Sequence, residues 1–356
     1  MMENNKRKKM DVDKNICNYH HGGALDNQDI LYDFSVNTNP YNINQYDDNS
    51  YTESLKYPDI EYKNLKYAIS NFENVDIENI LCTNGSSELF SIIDHAFKPK
   101  KVLLTAPSFI GYRKAFVDSD IRYHYTKEHK GFALDEDILN EDFKSIDLLV
   151  LGDPNNPNGK VIDKELFRQL TEKCYVNRTI LLVDQCFYPF TGNRLEIRKL
   201  IDKYDNLIIA KGFTKIFAHP GIRLGYAVAN SNTIYSLHNY TPEWNISAQA
   251  ESFGIKMCVH TDFVAESVRN INASKAKMTN ALEQLKIKIY DSDVNFILIK
   301  TDVPLFEELL KQHILIRQCD DFEGLSKDYY RVAVKSDTDN DILLKAITKI
   351  VEKYEK

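Results

Sequence analysis

Four short aliphatic runs punctuate the middle of the chain: Lys101–Leu104, Asp147–Leu151, Ile180–Val183 and Leu207–Ala210. None alternates apolar with polar residues, which is the pattern of a strand buried on both faces, and helical spacings separate them. The arrangement predicts an α/β fold with a mainly parallel sheet between helices, plus a smaller α+β unit. In such sheets ligands bind beyond the carboxyl ends of the strands, so the residues that follow these runs are the first candidates for chemistry.

From Ile246 to Leu285 the apolar spacing turns long, helical and glycine-poor, and Val294–Ile299 then opens a different strand-like unit. The expected organisation is an N-terminal arm with part of a small domain over 1–45, a large domain over 46–245, a connecting helical segment over 246–285 and a small C-terminal domain over 286–356. No internal repeat is visible. The asparagine-rich patches from Asn37 to Asn49 read as loop chemistry rather than low complexity.

Composition narrows the function. With 43% hydrophobic and 27% charged residues, the 356-residue chain fits a soluble globular enzyme. Its 45 basic against 52 acidic residues leave a net charge of -7 and no basic field for nucleic acid. No apolar run is long enough to suggest a membrane span. Cys17, Cys82, Cys174, Cys186, Cys258 and Cys319 lie far apart, with neither a CxxC pair nor zinc-ligand histidines nearby, so no metal is expected. Unpaired thiols without a signal-peptide pattern set the expectation of a cytoplasmic protein. The Lys6–Lys9 basic cluster reads as a solvated terminus rather than a polyanion-binding tag.

The stretch from Ala210 to Tyr226 sets a lysine, an arginine and two glycines where a phosphorylated aldehyde would need them. Lys215 can form a Schiff base, and Arg223, after the Pro220-Gly221 turn, can return to hold a phosphate bidentately. Two solvated surface charges would look the same in isolation. Asp184 ends a predicted buried strand, where a carboxylate needs a partner: a protonated pyridine nitrogen, or else a helix cap or salt bridge. Asp153–Gly159 is a tight turn from which Asn156 can project its amide toward a cofactor oxygen and a substrate carboxylate. Gly85, Ser86 and Ser87 open a helix whose first turn offers N–H groups to an anion, or simply an N-cap. Phe109, after another strand, suits stacking on a planar ring or ordinary core packing. Arg331 and Arg317 each interrupt an apolar run; Arg331 suits a carboxylate and Arg317 a second anion, while either could instead be an edge-strand surface arginine.

Strand, turn with Asn156, strand with Asp184, strand and then Lys215, in that order, resemble the fold-type I pyridoxal-phosphate (PLP) enzymes of the class I/II aminotransferase superfamily, from about Tyr19 onward. The resemblance implies Lys215 as the Schiff-base lysine and Asp184 as the pyridinium partner. Gly85, Ser86, Ser87, Phe109, Asn156, Thr214 and Arg223 join the cofactor set, and Arg331 becomes the α-carboxylate clamp. Tyr57, in Tyr57-Pro58-Asp59, looks like the tyrosine that reaches the neighbouring subunit's cofactor, which implies a homodimer.

His21-Gly22-Gly23 with Asp33–Pro40, and Ile314–Leu325 ending in Tyr329–Val334, are similar to the histidinol-phosphate aminotransferase group and, within it, the threonine-phosphate decarboxylase branch. In that group Arg317 would meet a substrate phosphate, with His21 and Asn39 in the same pocket. The implied reaction is decarboxylation of L-threonine O-3-phosphate to aminopropanol phosphate for corrinoid synthesis, with transamination of the histidinol-phosphate type as the alternative. Two positions depart from the superfamily pattern: Gly212 replaces the usual serine three before the lysine, and Phe187 the usual tyrosine three after the aspartate. A cofactor-sensing regulator on the same fold would need an appended basic DNA-binding domain, for which the residues before Tyr19 offer little room.

Overall fold

The computed structural model describes residues 21–23, 29–43, 50–192 and 197–354. The Lys6–Lys9 cluster, Cys17, Tyr19 and the asparagine-rich stretch beyond Ile43 lie outside them.

Ile80–Thr83 (β1), Lys101–Ala106 (β2), Asp120–Tyr125 (β3), Leu148–Gly152 (β4), Ile180–Asp184 (β5), Leu207–Gly212 (β6) and Gly225–Ala229 (β7) form one sheet. Its order is β1-β7-β6-β5-β4-β2-β3. β7 runs antiparallel to both neighbours and every other pairing is parallel. All four aliphatic runs are strands of this sheet. Their lack of alternation has a direct cause: Val150 and Leu182 pack with Leu89 and Phe90 on one face, while Leu149, Leu151 and Val183 pack with Leu166 and Phe213 on the other. Each fully buried aliphatic side chain of this kind stabilises the fold by about 1.5–3 kcal/mol.

Helices Lys63–Glu73 (α1), Ser86–Phe97 (α2) and Lys164–Asn177 (α3) connect or cover these strands. The helical stretch after Ile246 is two helices, Ala248–Met257 (α4) and Thr261–Gln284 (α5), because the backbone leaves helical geometry at His260, with φ -92° and ψ 52°. Ser247 caps α4 by accepting from the Ala250 N–H at 3.2 Å.

Lys288–Tyr290 (β8), Phe296–Lys300 (β9), Arg317–Gln318 (β10) and Tyr329–Ala333 (β11) make a second, antiparallel sheet in the order β10-β11-β9-β8, followed by the helix Asp337–Tyr354 (α6). Arg317 stands directly opposite Arg331 in this register. The segment after Leu31 reaches the same unit: Tyr32 and Asp33 pair with Ile314 and Leu315, and the Ala333 N–H donates to the Phe34 carbonyl at 2.9 Å.

The start of β7 passes so close under α2 that a Cβ on Gly225 would lie 2.6 Å from the Ser86 nitrogen and 2.8 Å from the Gly85 carbonyl carbon. Both neighbours are backbone, so the contact cannot be relieved by a rotamer change. Gly225→Ala is expected to lower unfolding stability by about 1–3 kcal/mol in urea titration; an unchanged midpoint contradicts the close packing.

Candidate active site

Five carboxyl-terminal strand ends meet at one cavity of about 260 Å³. It is lined by Ser86 and Ser87 after β1, Phe109 after β2, Asn156 after β4, Asp184 at the end of β5, and Gly212, Thr214 and Lys215 at the end of β6. Arg223 closes it from the approach to β7, and His21, Arg317 and Arg331 from the side of the second sheet. Lys215, Arg223, Arg317 and Arg331 face Asp184, the one carboxylate among the described lining residues. A chain of net charge -7 thus presents a cationic cavity, which calls for an anionic ligand.

Asp184 accepts from the Tyr112 hydroxyl and the Cys186 N–H, each at 3.0 Å. Burial raises its carboxyl above the usual range, while the hydrogen bonds from Cys186 and Tyr112 pull the other way. Lys215 sits on the turn after β6. Burial lowers its ammonium to about 8, and the nearby positive charges of Arg331 and Arg223 act in the same direction. Its Nζ lies 5.9 Å from the Phe187 ring centre.

At the start of α2 no side chain caps the first turn, and Gly85 adopts φ 74°. A Cβ there would stand 2.4 Å from Nη2 of Arg223, so the glycine makes room for a guanidinium against uncapped helix N–H groups. Arg223 itself has φ 54° and donates from Nη1 to the Pro220 carbonyl at 3.0 Å. Uncapped N–H groups, serine hydroxyls and an arginine form a phosphate cradle. With Asp184 and the Lys215 amine across the cavity, the donor set fits PLP.

The Asn156 turn is held by its neighbours. Asn155 donates to the Pro107 carbonyl at 3.0 Å and to Asn158 at 2.8 Å, and Asn158 to the Phe132 carbonyl at 2.8 Å. Gly159 has φ 72°, and a Cβ there would come 2.2 Å from Ser292 Oγ. Asn156, left free of the turn, accepts from Arg331 Nη1 at 2.6 Å. Arg331 also donates from Nη2 to the Ser35 carbonyl at 2.7 Å, and Asn37, with its carbonyl oxygen turned toward it, accepts from Nε at 3.0 Å. Every acceptor on this buried guanidinium is neutral, and burial pushes it down to about 10. Arg317 differs: its Nη2 is 2.7 Å from both carboxylate oxygens of Asp321.

Several expected residues stand elsewhere. Asn39 does not line the cavity. Its amide donates to the Ile216 carbonyl and its N–H to the Lys215 carbonyl, both at 2.8 Å, and its side-chain oxygen accepts from the Tyr41 N–H at 3.0 Å, so it braces the lysine's turn. Gly85 lies behind Arg223 rather than on the wall. Tyr57 is outside the cavity, 81% exposed, with its ring centre 5.0 Å from that of Trp244. Phe109 faces the cavity and meets Tyr112 edge-on, at 5.4 Å between centroids. Phe187 offers no phenol, and the Tyr112 hydroxyl does not replace it because it is bound to Asp184. Sequence reasoning assigned no role to Tyr112, Cys186, Ser35, Asn37 or Asp321; polar residues at Ser35 and Asn37 inside a strand-like run are the signal that could have found those two.

A larger cavity of about 660 Å³ lies between Tyr188, Lys211 and α5. Its buried lysine is already paired, Lys211 with Glu73 at 3.0 Å, and Tyr226 donates to the same carboxylate. Among the described residues no helix is long and apolar enough to cross a membrane, and no cluster of metal ligands is present.

Comparison with known proteins agrees with this architecture. The family profile "Aminotransferase class I and II" matches residues 31–347. A protein of Caldanaerobacter subterraneus subsp. tengcongensis, provisionally named threonine-phosphate decarboxylase, is 35% identical over 293 residues, 80% of each chain. The threonine-phosphate decarboxylase of Salmonella typhimurium is 28% identical over 94% of this chain and 98% of its own. The crystal structure of histidinol-phosphate aminotransferase from Clostridium acetobutylicum superposes with a TM-score of 0.84, at 27% identity, over 91% of this chain and all of that one. The profile spans most of the chain, and the fold is that of the fold-type I PLP enzymes. The chain belongs to the aminotransferase class I and II family and is a PLP-dependent enzyme.

Proposed function

We propose that this enzyme decarboxylates L-threonine O-3-phosphate, yielding aminopropanol phosphate and CO₂ for corrinoid synthesis. The observation that carries this reading is the cross-strand pair Arg317 and Arg331, two guanidinium groups side by side in the cavity of Lys215. A small amino acid with an α-carboxylate and a phosphate a few bonds away presents two anions, one for each guanidinium. The names of the relatives from Caldanaerobacter and Salmonella support the same substrate.

In this reading PLP, when bound, supplies an electron sink for the negative charge that develops at Cα. Asp184 holds the proton on the ring nitrogen, and its burial concentrates that interaction. Ser86, Ser87, Thr214, Arg223 and the α2 N-terminus hold the cofactor phosphate, with Phe109 against the ring. Arg331 and Asn156 hold the α-carboxylate, and Arg317, with His21 beside it, the distal phosphate. The Lys215 amine anchors the cofactor and afterwards delivers a proton to Cα once CO₂ has left, or takes one from Cα if the Cα–H bond breaks instead. Which bond breaks depends on which one these side chains hold perpendicular to the ring. The exposed Tyr57 and Trp244 suit burial against a second copy, so the working assembly is a cytoplasmic homodimer in which Tyr57 reaches the partner's cofactor.

Transamination is the second reading, favoured by the likeness to the Clostridium acetobutylicum structure. Phe187 counts against it, since no phenol is present there to tune the cofactor. Stoichiometric CO₂ release from L-threonine O-3-phosphate is the expected result. Amino transfer to a keto acid without CO₂ overturns the decarboxylase reading.

Two further outcomes follow from the cofactor end. A Cβ on Gly212 would touch only Cys186 Sγ at 3.5 Å and the Leu224 carbonyl at 3.8 Å, so a serine fits. Gly212→Ser should tighten PLP binding to the apoprotein about 5- to 10-fold, the effect of one charge-assisted hydrogen bond; weaker binding would show that this position does not face the phosphate. Because Lys215 loses its proton at about 8 rather than near the usual lysine value, the rate at which apoprotein turns yellow on adding PLP should rise with pH and level off above about 8. A rate that keeps rising tenfold per pH unit up to about 10 would place the lysine in water.

A further inference from the structure

Arg317 and Arg331 are register partners that line one cavity, yet their surroundings differ in kind. Arg331 meets only neutral acceptors, Asn156, Ser35 and Asn37. Arg317 gives Nη2 to both oxygens of Asp321 at 2.7 Å, gives Nη1 to the Gln318 carbonyl, and lays its guanidinium 5.1 Å over the Phe322 ring. Only 8% of the Arg317 side chain and 16% of that of Asp321 is exposed, so water screens this pair weakly. The turn carrying Asp321 is fixed on both sides of it. Cys319 and Phe322 are buried, and Glu323 accepts from the Tyr125 hydroxyl of β3 at 2.8 Å.

Cross-strand like charges repel, and Asp321 pairs directly with Arg317, whereas on Arg331 it acts only at longer range, together with Asp33. The two ends of the cavity are therefore unequal: one awaits any carboxylate, the other already has one. Resting on the reading of Arg317 as the distal anion holder, we propose that Asp321 is a specificity-determining residue that occupies Arg317 with one negative charge, so that a ligand group must carry two to replace it. A neutral or singly charged side chain offers Arg317 no more than Asp321 supplies, and Asp321 is tethered, so it loses no translational freedom on pairing. A phosphate monoester dianion brings nearly twice the charge and three strong acceptor oxygens. Asp321 thus rejects amino acids with carboxylate or hydroxyl side chains and admits phosphorylated ones.

Calorimetric titration of the PLP-loaded enzyme with sulfate, a dianion, and with acetate, a monoanion, tests this. Asp321→Asn keeps a hydrogen-bond acceptor and removes the charge. It is expected to tighten sulfate binding at Arg317 about fivefold or more and to add a second acetate site, abolished by Arg317→Ala, to the one that Arg331 already gives the wild type, with Asp321→Ser giving the same shift. Arg317→Ala should lose the sulfate site. If Arg317→Ala weakens sulfate but the Asp321 variants leave it unchanged or weaken it too, Asp321 only props the arginine and the inference is overturned. If Arg317→Ala leaves sulfate binding intact, the reading of Arg317 fails, and the inference falls with it.

Discussion

Asp184 holds its carboxylate at the end of a strand buried on both faces, and Lys215 holds its amine on the turn after the next strand over. Both are shifted toward their neutral forms by burial. Removing ions from water without pairing them costs several kcal/mol each, and a fold keeps such groups only where something else supplies the missing charge. On the proposed reading PLP would do so for both at once, with a ring nitrogen for the carboxylate and an aldehyde for the amine. The parallel sheet makes this possible: its adjacent strands end at the same edge, so residues from five connections converge without any long loop. Arg331 extends the same logic to the substrate, as a buried cation surrounded by neutral oxygens.

The cofactor end of the site was legible from the sequence because it is written locally. Asp184 and Lys215 each follow an aliphatic run whose burial fixes where the strand stops, and Ser86 opens a helix whose apolar face is visible in Leu89, Phe90, Ile92 and Ile93. The contacts that hold these side chains were less legible, several because they join chain segments far apart. Nothing in the Pro107–Tyr112 stretch indicates that Tyr112 reaches Asp184, 72 residues away. Asn39 was grouped with the pocket by its motif, but its short amide is consumed by the Lys215 turn. Arg317 stood out as a charge interrupting an apolar run, but its burial and its ion pair with Asp321, against an edge-strand surface position, depend on a chain reversal that the intervening Gln318, Cys319 and Asp320 do not announce.

The departures from the superfamily pattern concentrate around one wall. Gly212 and Phe187 each remove a hydroxyl, while Cys186 places a thiol against Asp184, whose charge, together with burial, raises it well above the usual thiol range. On the proposed reading, a wall with fewer hydroxyl donors would make the cofactor more dependent on Asp184, the helix terminus and Arg223. Loss of one of those three is correspondingly less well buffered.

The Ser35 carbonyl that accepts from Arg331 bridges 296 residues of sequence, and the same segment, through Asn39, also hydrogen-bonds the Lys215 turn. On a growing chain, the seven-stranded sheet can collapse before the N-terminal segment meets Ile314, Leu315 and Ala333, its partners in the second unit, which emerge later. The contacts of Arg331 with this segment are therefore completed in a late, high-contact-order step, whereas Asn39 can brace the Lys215 turn as soon as that turn exists. The cavity is therefore completed by the second sheet and the N-terminal segment rather than by the largest sheet alone.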